Sequence, residues 1–397
     1  MTAKYVIIVP DGAADDPLEC FDGKTVIEAA RTPNMDRIAM DGRQGLMRTV
    51  PTGMTPGSDV ALMSLLGYDP AQSYTGRAPI EAVAQQIPLA PDDWVFRCNL
   101  VTCADGKMAD HSAGHISTKE ALGIIEELKS LLDSTSIRFY PGVSYRHLCV
   151  INGVDFSKVT TSPPHDIIGQ KVAKHLPKGK QADLLNDLMA RSGQLFENHP
   201  INRVRRDLGE NPVSTIWLWG QGQKAVLERF SKKYGKRGAA ITAVDLVRGL
   251  ARLVGFDLIS VEGATGYIDT NYAGKGQAAI DALEKYDLVF VHIEAPDEAG
   301  HSGNPQQKKQ AIERIDKLIV GPVYEALKKY DSYRILVMPD HPTPIELRSH
   351  TAEAVPFALA GAGVKGVLEQ PFCERYSRES GLTIEKGSDM MEFFLKI

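Results

Sequence analysis

The chain has 397 residues, 43% of them hydrophobic and 24% charged, with a formal net charge of −5 at pH 7. That length can bury a large core and divide into two domains, while the mild acidity and lack of a long basic run exclude nucleic acid as the main partner. No apolar run approaches the roughly 20 residues of a membrane span, and the five scattered cysteines suit a reducing cytoplasm better than a disulfide framework.

The N-terminal MTAKYVIIVPDG runs straight into a strand, with no secretory leader pattern. Tyr5–Pro10 is a β-branched run ending at Pro10-Asp11-Gly12, so Asp11 sits at a strand end, either as a metal ligand or as a turn cap. Thr32 and Pro33 mark a helix start as N-cap and first helical residue. The turn Pro56-Gly57-Ser58-Asp59 opens a helix through Leu66 and leaves Ser58 at its N-terminus, where free N–H groups favour an anion. Ser58 suits two roles there, a helix cap or a nucleophile toward phosphorus. Arg77 is either a phosphate clamp or the partner of a surface carboxylate.

The texture changes near residue 85. Trp94–Cys103 and Gly106–Asp110 predict a hairpin across Asp105-Gly106. Ser117 and Glu120 are spaced as a capping box for a helix through Leu132. Ile137–Tyr140 and His147–Ile151 read as strands, Thr160–Asp166 as a loop, and Gln181–Glu197 as a helix closing the insert. The domain reading is a core of residues 1–84 and 201–397 interrupted by a smaller α+β lid, 85–200. In the resumed core Thr215–Trp219 reads as a strand, Ala239–Val254 as an amphipathic helix, Phe256–Val261 as a strand, Ala278–Lys285 as a helix and Leu288–His292 as a strand. Such alternation predicts an α/β fold with a largely parallel sheet covered by helices on both faces.

The candidate chemistry gathers at strand ends. After Leu288–His292 come Asp297 and His301, four apart, which share a face on a helical turn. Ile335–Met338 ends at Pro339 and delivers Asp340 and His341, with His350 shortly after. In open α/β sheets ligands bind just beyond the carboxyl ends of strands. Asp11, Ser58, Asp297, His301, Asp340, His341 and His350 offer seven O/N donors, enough for two divalent ions of the kind that drive phosphoryl transfer. Asp/His donors without Cys suit Mn²⁺, Co²⁺ or Zn²⁺ better than an all-oxygen Mg²⁺ site. No GxxxxGK(S/T) nucleotide loop is present.

The motifs VPDGAAD, TPGSDVALMSLLGYDP, GRAPIEA, PDEAGHSGN, PDHPTP and SHTAEAVPF occur in the order seen in the cofactor-independent phosphoglycerate mutases. With KMADHSAGHIST, HPINRVRR, WLWGQG and GATGYIDTNYAGK, nearly the whole chain resembles the shorter, archaeal-type branch of that family, within the alkaline phosphatase superfamily. The resemblance implies a phosphatase-like core, a lid that closes over substrate, and two metal ions, Mn²⁺ foremost. Asp297, His301 and His350 would hold one ion; Asp11, Ser58, Asp340 and His341 the other. It further implies a cytoplasmic isomerase passing the phosphoryl group of 3-phosphoglycerate through Ser58 to the 2-position, without bisphosphoglycerate. Arg146 and Arg206 match basic substrate-binding positions of the family. His111 and His115 stand where the family pattern has arginines, and Glu210 where it has a lysine, which removes fixed positive charge. A phosphotransferase on another small substrate, such as a homoserine kinase, or a phosphatase, would share the core.

Overall fold

The computed structural model describes residues 3–396 and divides into two compact units: Met1–Tyr74 with Val226–Ile397, and Thr75–Ala225. The first unit is built on an eight-stranded sheet. Its spatial order is Asp257–Ile259, Gly238–Ile241, Leu288–Ile293, Lys4–Pro10, Tyr333–Val337, Val355–Gly361, Arg43–Met47 and Thr383–Ile384. The first five strands are mutually parallel, and Val355–Gly361 runs antiparallel to both its neighbours. Leu288–Ile293 is buried at every residue, and Lys4–Pro10 at all but its first, because helices cover both faces. The predicted α/β class with a largely parallel sheet is the one observed.

One stretch departs from the sequence reading. Ala239–Val254 is a strand, Gly238–Ile241, followed by a helix, Asp245–Val254, and not one long helix. Four small or branched residues, all buried, satisfy a central parallel strand, and so short a run carries no period of its own.

The second unit is a mixed α+β body wider than the predicted 85–200 insert. Its sheet centres on Trp94–Ala104, which pairs antiparallel with Arg146–Ile151 on one side and Thr215–Gln223 on the other. TIWLW therefore belongs to this sheet and not to the resumed core. Its Trp217 and Leu218 are apolar enough for either sheet, so only long-range pairing decides. The helix Arg77–Ala84 packs with the same unit. The Ser117–Glu120 capping box forms with both of its hydrogen bonds.

Candidate active site

All seven predicted ligand positions lie in the first unit, where the loops after three parallel strands converge with the start of the helix Ser58–Leu65. The strand Lys4–Pro10 ends on Asp11, Leu288–Ile293 leads into the helix Ala295–His301, and Tyr333–Val337 leads to Asp340 and His341. Gly12 makes the close approach possible. Its φ is +61°, and a Cβ there would lie 2.5 Å from Asp297 Oδ1 and 2.6 Å from Thr343 Oγ1. Its N–H donates to Asp340 Oδ1 at 3.1 Å, tying the first loop to the last. Behind them the buried Lys308 ammonium donates to Asp15 Oδ2 at 2.6 Å and to the carbonyls of Ala14 and Thr343 at 3.1 and 2.9 Å.

Two clusters share this ground. In one, His301 Nε2 and His350 Nε2 converge to 2.9 Å, and Asp297 oxygens lie 3.2 Å from the former and 3.5 Å from the latter. His301 Nδ1–H donates to the Arg348 carbonyl at 3.0 Å, which fixes the ring so that Nε2 is the nitrogen facing Asp297 and His350. In the other, Ser58 Oγ lies 3.1 Å from His341 Nε2 and 3.4 Å from Asp11 Oδ2, while His341 Nε2 is 3.4 Å from Asp340 Oδ2. Ser58 is the first residue of the helix Ser58–Leu65, and Gly57, not Ser58, occupies the N-cap. The capping role is therefore not the one its hydroxyl performs.

The donor set fits divalent cations. Asp11 Oδ1 and Asp340 Oδ2 are buried with no hydrogen-bond partner among the described residues, a costly state for carboxylate oxygens unless a cation meets them. Asp297, His301 and His350 bring ligand atoms within 4.8 Å of one another, as do Asp11, Asp297 and His341. Electrostatics agree. Burial, with Asp340, Glu294 and Asp297 nearby, raises Asp11 well above the usual carboxylate range. Burial alone would also raise Asp297, but hydrogen bonds from His301 and His350 hold it well below. The Asp297 hydrogen bond in turn lifts His301 to about 9. Too many carboxylates meet too little positive charge, which is the condition metal binding relieves.

Two groups here escaped the sequence reading. His292 is fully buried on the adjoining strand, 2.8 Å from Asp11 Oδ2, and burial lowers it to about 4. Burial and the Asp297 charge push Glu294 up to about 7. The one available signal was a histidine inside the apolar run VFVHI, directly before the Asp297 loop.

The predicted substrate-binding residues lie in the second unit, and most form one chain of basic and aromatic groups. His115 and His111 flank Tyr145 with ring centroids 6.4 and 5.6 Å away, and Arg146 lies 5.3 Å from the same ring. His111 is 6.1 Å from His165, which is 5.3 Å from Trp219, over which Arg97 stacks at 4.4 Å. Arg77 and Arg97 share the two oxygens of Glu81 at 3.2 and 3.1 Å. Arg97 and His165 were missed, since an arginine within an apolar strand and a loop histidine carry no motif. Burial lowers His111, so the imidazole supplies less fixed charge than an arginine would. Arg206 is exposed and donates to the Glu197 carbonyl at 2.6 Å. Glu210 is the partner of buried Arg205, 3.0 Å away, with Glu120 at 2.9 Å on the same guanidinium.

Comparison with known proteins decides the family. The 2,3-bisphosphoglycerate-independent phosphoglycerate mutase of Methanothrix thermoacetophila is 50% identical over 393 residues, covering 99% of each chain. The chain belongs to that family. The family model described as 2,3-bisphosphoglycerate-independent phosphoglycerate mutase matches residues 39–202. Among solved structures, the PH0037 protein from Pyrococcus horikoshii superposes with a TM-score of 0.83 at 30% identity, over 100% of this chain and 97% of that one. The cofactor-independent phosphoglycerate mutase from Thermoplasma acidophilum superposes with a TM-score of 0.67 at 26% identity, over 100% and 99%. No helix among the described residues is long and apolar enough to cross a membrane.

Proposed function

We propose that this chain is a metal-dependent phosphoglycerate mutase, an isomerase that interconverts 3-phosphoglycerate and 2-phosphoglycerate through phosphate carried on Ser58, without bisphosphoglycerate. The observation that carries the reading is Ser58 Oγ, released from capping and set 3.1 Å from His341 Nε2 and 3.4 Å from Asp11 Oδ2. Full-length relatives that bear the mutase name favour it over a kinase or a phosphatase.

Two divalent ions, Mn²⁺ foremost, held by Asp297, His301 and His350 and by Asp11, Ser58, Asp340 and His341, would supply Lewis acidity toward phosphoryl oxygen and hydroxyl. The chain's own residues do the rest. Ser58 Oγ gives up its proton and attacks the phosphorus as the bond to the 3-oxygen of glycerate breaks, giving phosphoserine and a 3-alkoxide that takes up a proton. Glycerate then reorients, its 2-hydroxyl gives up its proton and attacks the same phosphorus, and the O–P bond to Ser58 breaks, its Oγ taking up a proton to restore the free serine. Arg77, His111, His115, Arg146 and Arg206, joined by Arg97 and His165, are proposed to bind the carboxylate and phosphate of this small hydroxy acid. The unit 75–225 would be the lid whose exclusion of water separates transfer from hydrolysis. The five free thiols suit a reducing cytoplasm.

The test is an enolase-coupled assay on 3-phosphoglycerate with Mn²⁺ and no bisphosphoglycerate, against metal-stripped protein. Metal-dependent turnover is expected; its absence from folded, metal-loaded protein overturns the reading.

A further inference from the structure

We propose that His292 is a positioning residue for Asp11, and that Thr242 sets the imidazole tautomer that makes it one. The inference rests on the reading of Asp11 as a metal ligand. His292 is fully buried on the strand beside Lys4–Pro10, in register with Val9, so the two backbones fix the distance between its ring and the Asp11 carboxylate. The Asp11 N–H donates to the Ile293 carbonyl at 3.0 Å, which clamps the loop to that same strand.

Both ring nitrogens have partners. Thr242 Oγ1, already an acceptor for the Val244 N–H at 3.2 Å, lies 3.3 Å from His292 Nδ1, and Asp11 Oδ2 lies 2.8 Å from Nε2. If the proton sat on Nδ1, the Nε2 lone pair would face a carboxylate oxygen at hydrogen-bond distance. With the Thr242 hydroxyl donating to Nδ1, the Nε2–H donates to Asp11, and the hydroxyl and both ring nitrogens are satisfied. Asp11 then has one oxygen held by His292, while Oδ1, which has no hydrogen-bond partner among the described residues, lies 3.5 Å from His341 Nε2. A ligand carboxylate fixed by a neutral donor loses less rotational freedom on binding a cation. Loss of such an outer partner lowers metal affinity by about ten- to a hundredfold.

Asp11, His292 and Asp340 are also close enough to hold an ion themselves, so the experiment must separate a ligand from a donor. Metal-stripped wild type, His292→Leu, His292→Gln, Thr242→Val and Asp11→Asn would be titrated calorimetrically with Mn²⁺, and their metal-free melting temperatures compared. The glutamine amide can place an N–H near the Nε2 position. The expected result is two ions bound throughout the His292 and Thr242 series. One site should weaken about ten- to a hundredfold in His292→Leu and severalfold in Thr242→Val, with most of the affinity restored in His292→Gln. Wild-type affinity at both sites in His292→Leu overturns the proposal, and so does loss of a whole ion in both His292 variants, which makes His292 a ligand. If His292→Leu does not fold, unchanged affinity in Thr242→Val overturns it. Wild-type binding in Asp11→Asn overturns the ligand reading itself. A weakened site there, with His292→Leu unchanged, overturns this inference alone.

Discussion

Ser58 Oγ and His341 Nε2 stand 3.1 Å apart, although 283 residues separate them in the chain. One comes from the start of a helix and the other from the loop after a central strand. Their meeting places the serine hydroxyl within a donor cluster and leaves the capping position to Gly57. Ser58→Ala removes the atom on which phosphate would be carried. It should lower mutase kcat on the order of 10⁴-fold or more, with an unchanged melting temperature. Substantial residual turnover in the coupled assay would rule out a phosphoserine route.

Chelation should act at the paired clusters. EDTA is expected to abolish activity and Mn²⁺ to restore it. His301→Ala should bind one ion fewer, because it removes one of the two imidazoles that meet at 2.9 Å. Asp297→Asn should be the more damaging change, since Asp297 oxygens lie close to His301 and His350 and also to Asp11 and His341. Metal content by atomic absorption after gel filtration checks both variants.

Arg146→Leu should raise KM for 3-phosphoglycerate more than it lowers kcat. A charge-assisted hydrogen bond to an anion is worth about 1.5–3 kcal/mol, or roughly ten- to a hundredfold in binding. Steady-state kinetics showing an unchanged KM would remove Arg146 from the substrate site.

Lys308→Met should destabilise the first unit by about 3–5 kcal/mol. It leaves the buried Asp15 carboxylate without its ammonium partner and frees the Ala14 and Thr343 carbonyls. Denaturant unfolding of the metal-free protein measures this. A loss below about 1 kcal/mol would show that the buried pair does not brace the loops.

Glu374 gives a pH dependence. Burial pushes it from an ordinary value of 4.5 up to about 7, against hydrogen bonds from Thr25 and the Asp15 N–H. A carboxyl raised in the folded state binds its proton more tightly there than in the unfolded chain. Its stabilising contribution is therefore complete below pH 4.5 and is lost as pH rises through about 7. Glu374→Gln keeps an acceptor for Asp15 and a donor toward Thr25 without the charge. Its melting temperature relative to wild type should rise from pH 6 to pH 8. A difference that does not change with pH would contradict the shift.

The sequence by itself determined the ligand candidates and the class of fold. A strand that ends on Pro-Asp announces both its burial and its carboxylate, so Asp11 and Asp340 were legible locally, and the i,i+4 spacing of Asp297 and His301 was borne by one helical turn. What only the tertiary structure decided involves partners distant in sequence or runs too short for a period. Gly238–Ile241 is a strand because neighbours on both sides pair with it. Thr215–Gln223 joins the second unit because Trp94–Ala104 offers it an edge. His292 acquires its partner across the sheet register, and Arg97 and His165 join the basic cluster through Trp219, contacts that no local spacing encodes. Local chemistry depends on neighbours in the chain and can be read there. Pairing and burial depend on which distant segments arrive, and the physics of that choice is written only in the packed fold.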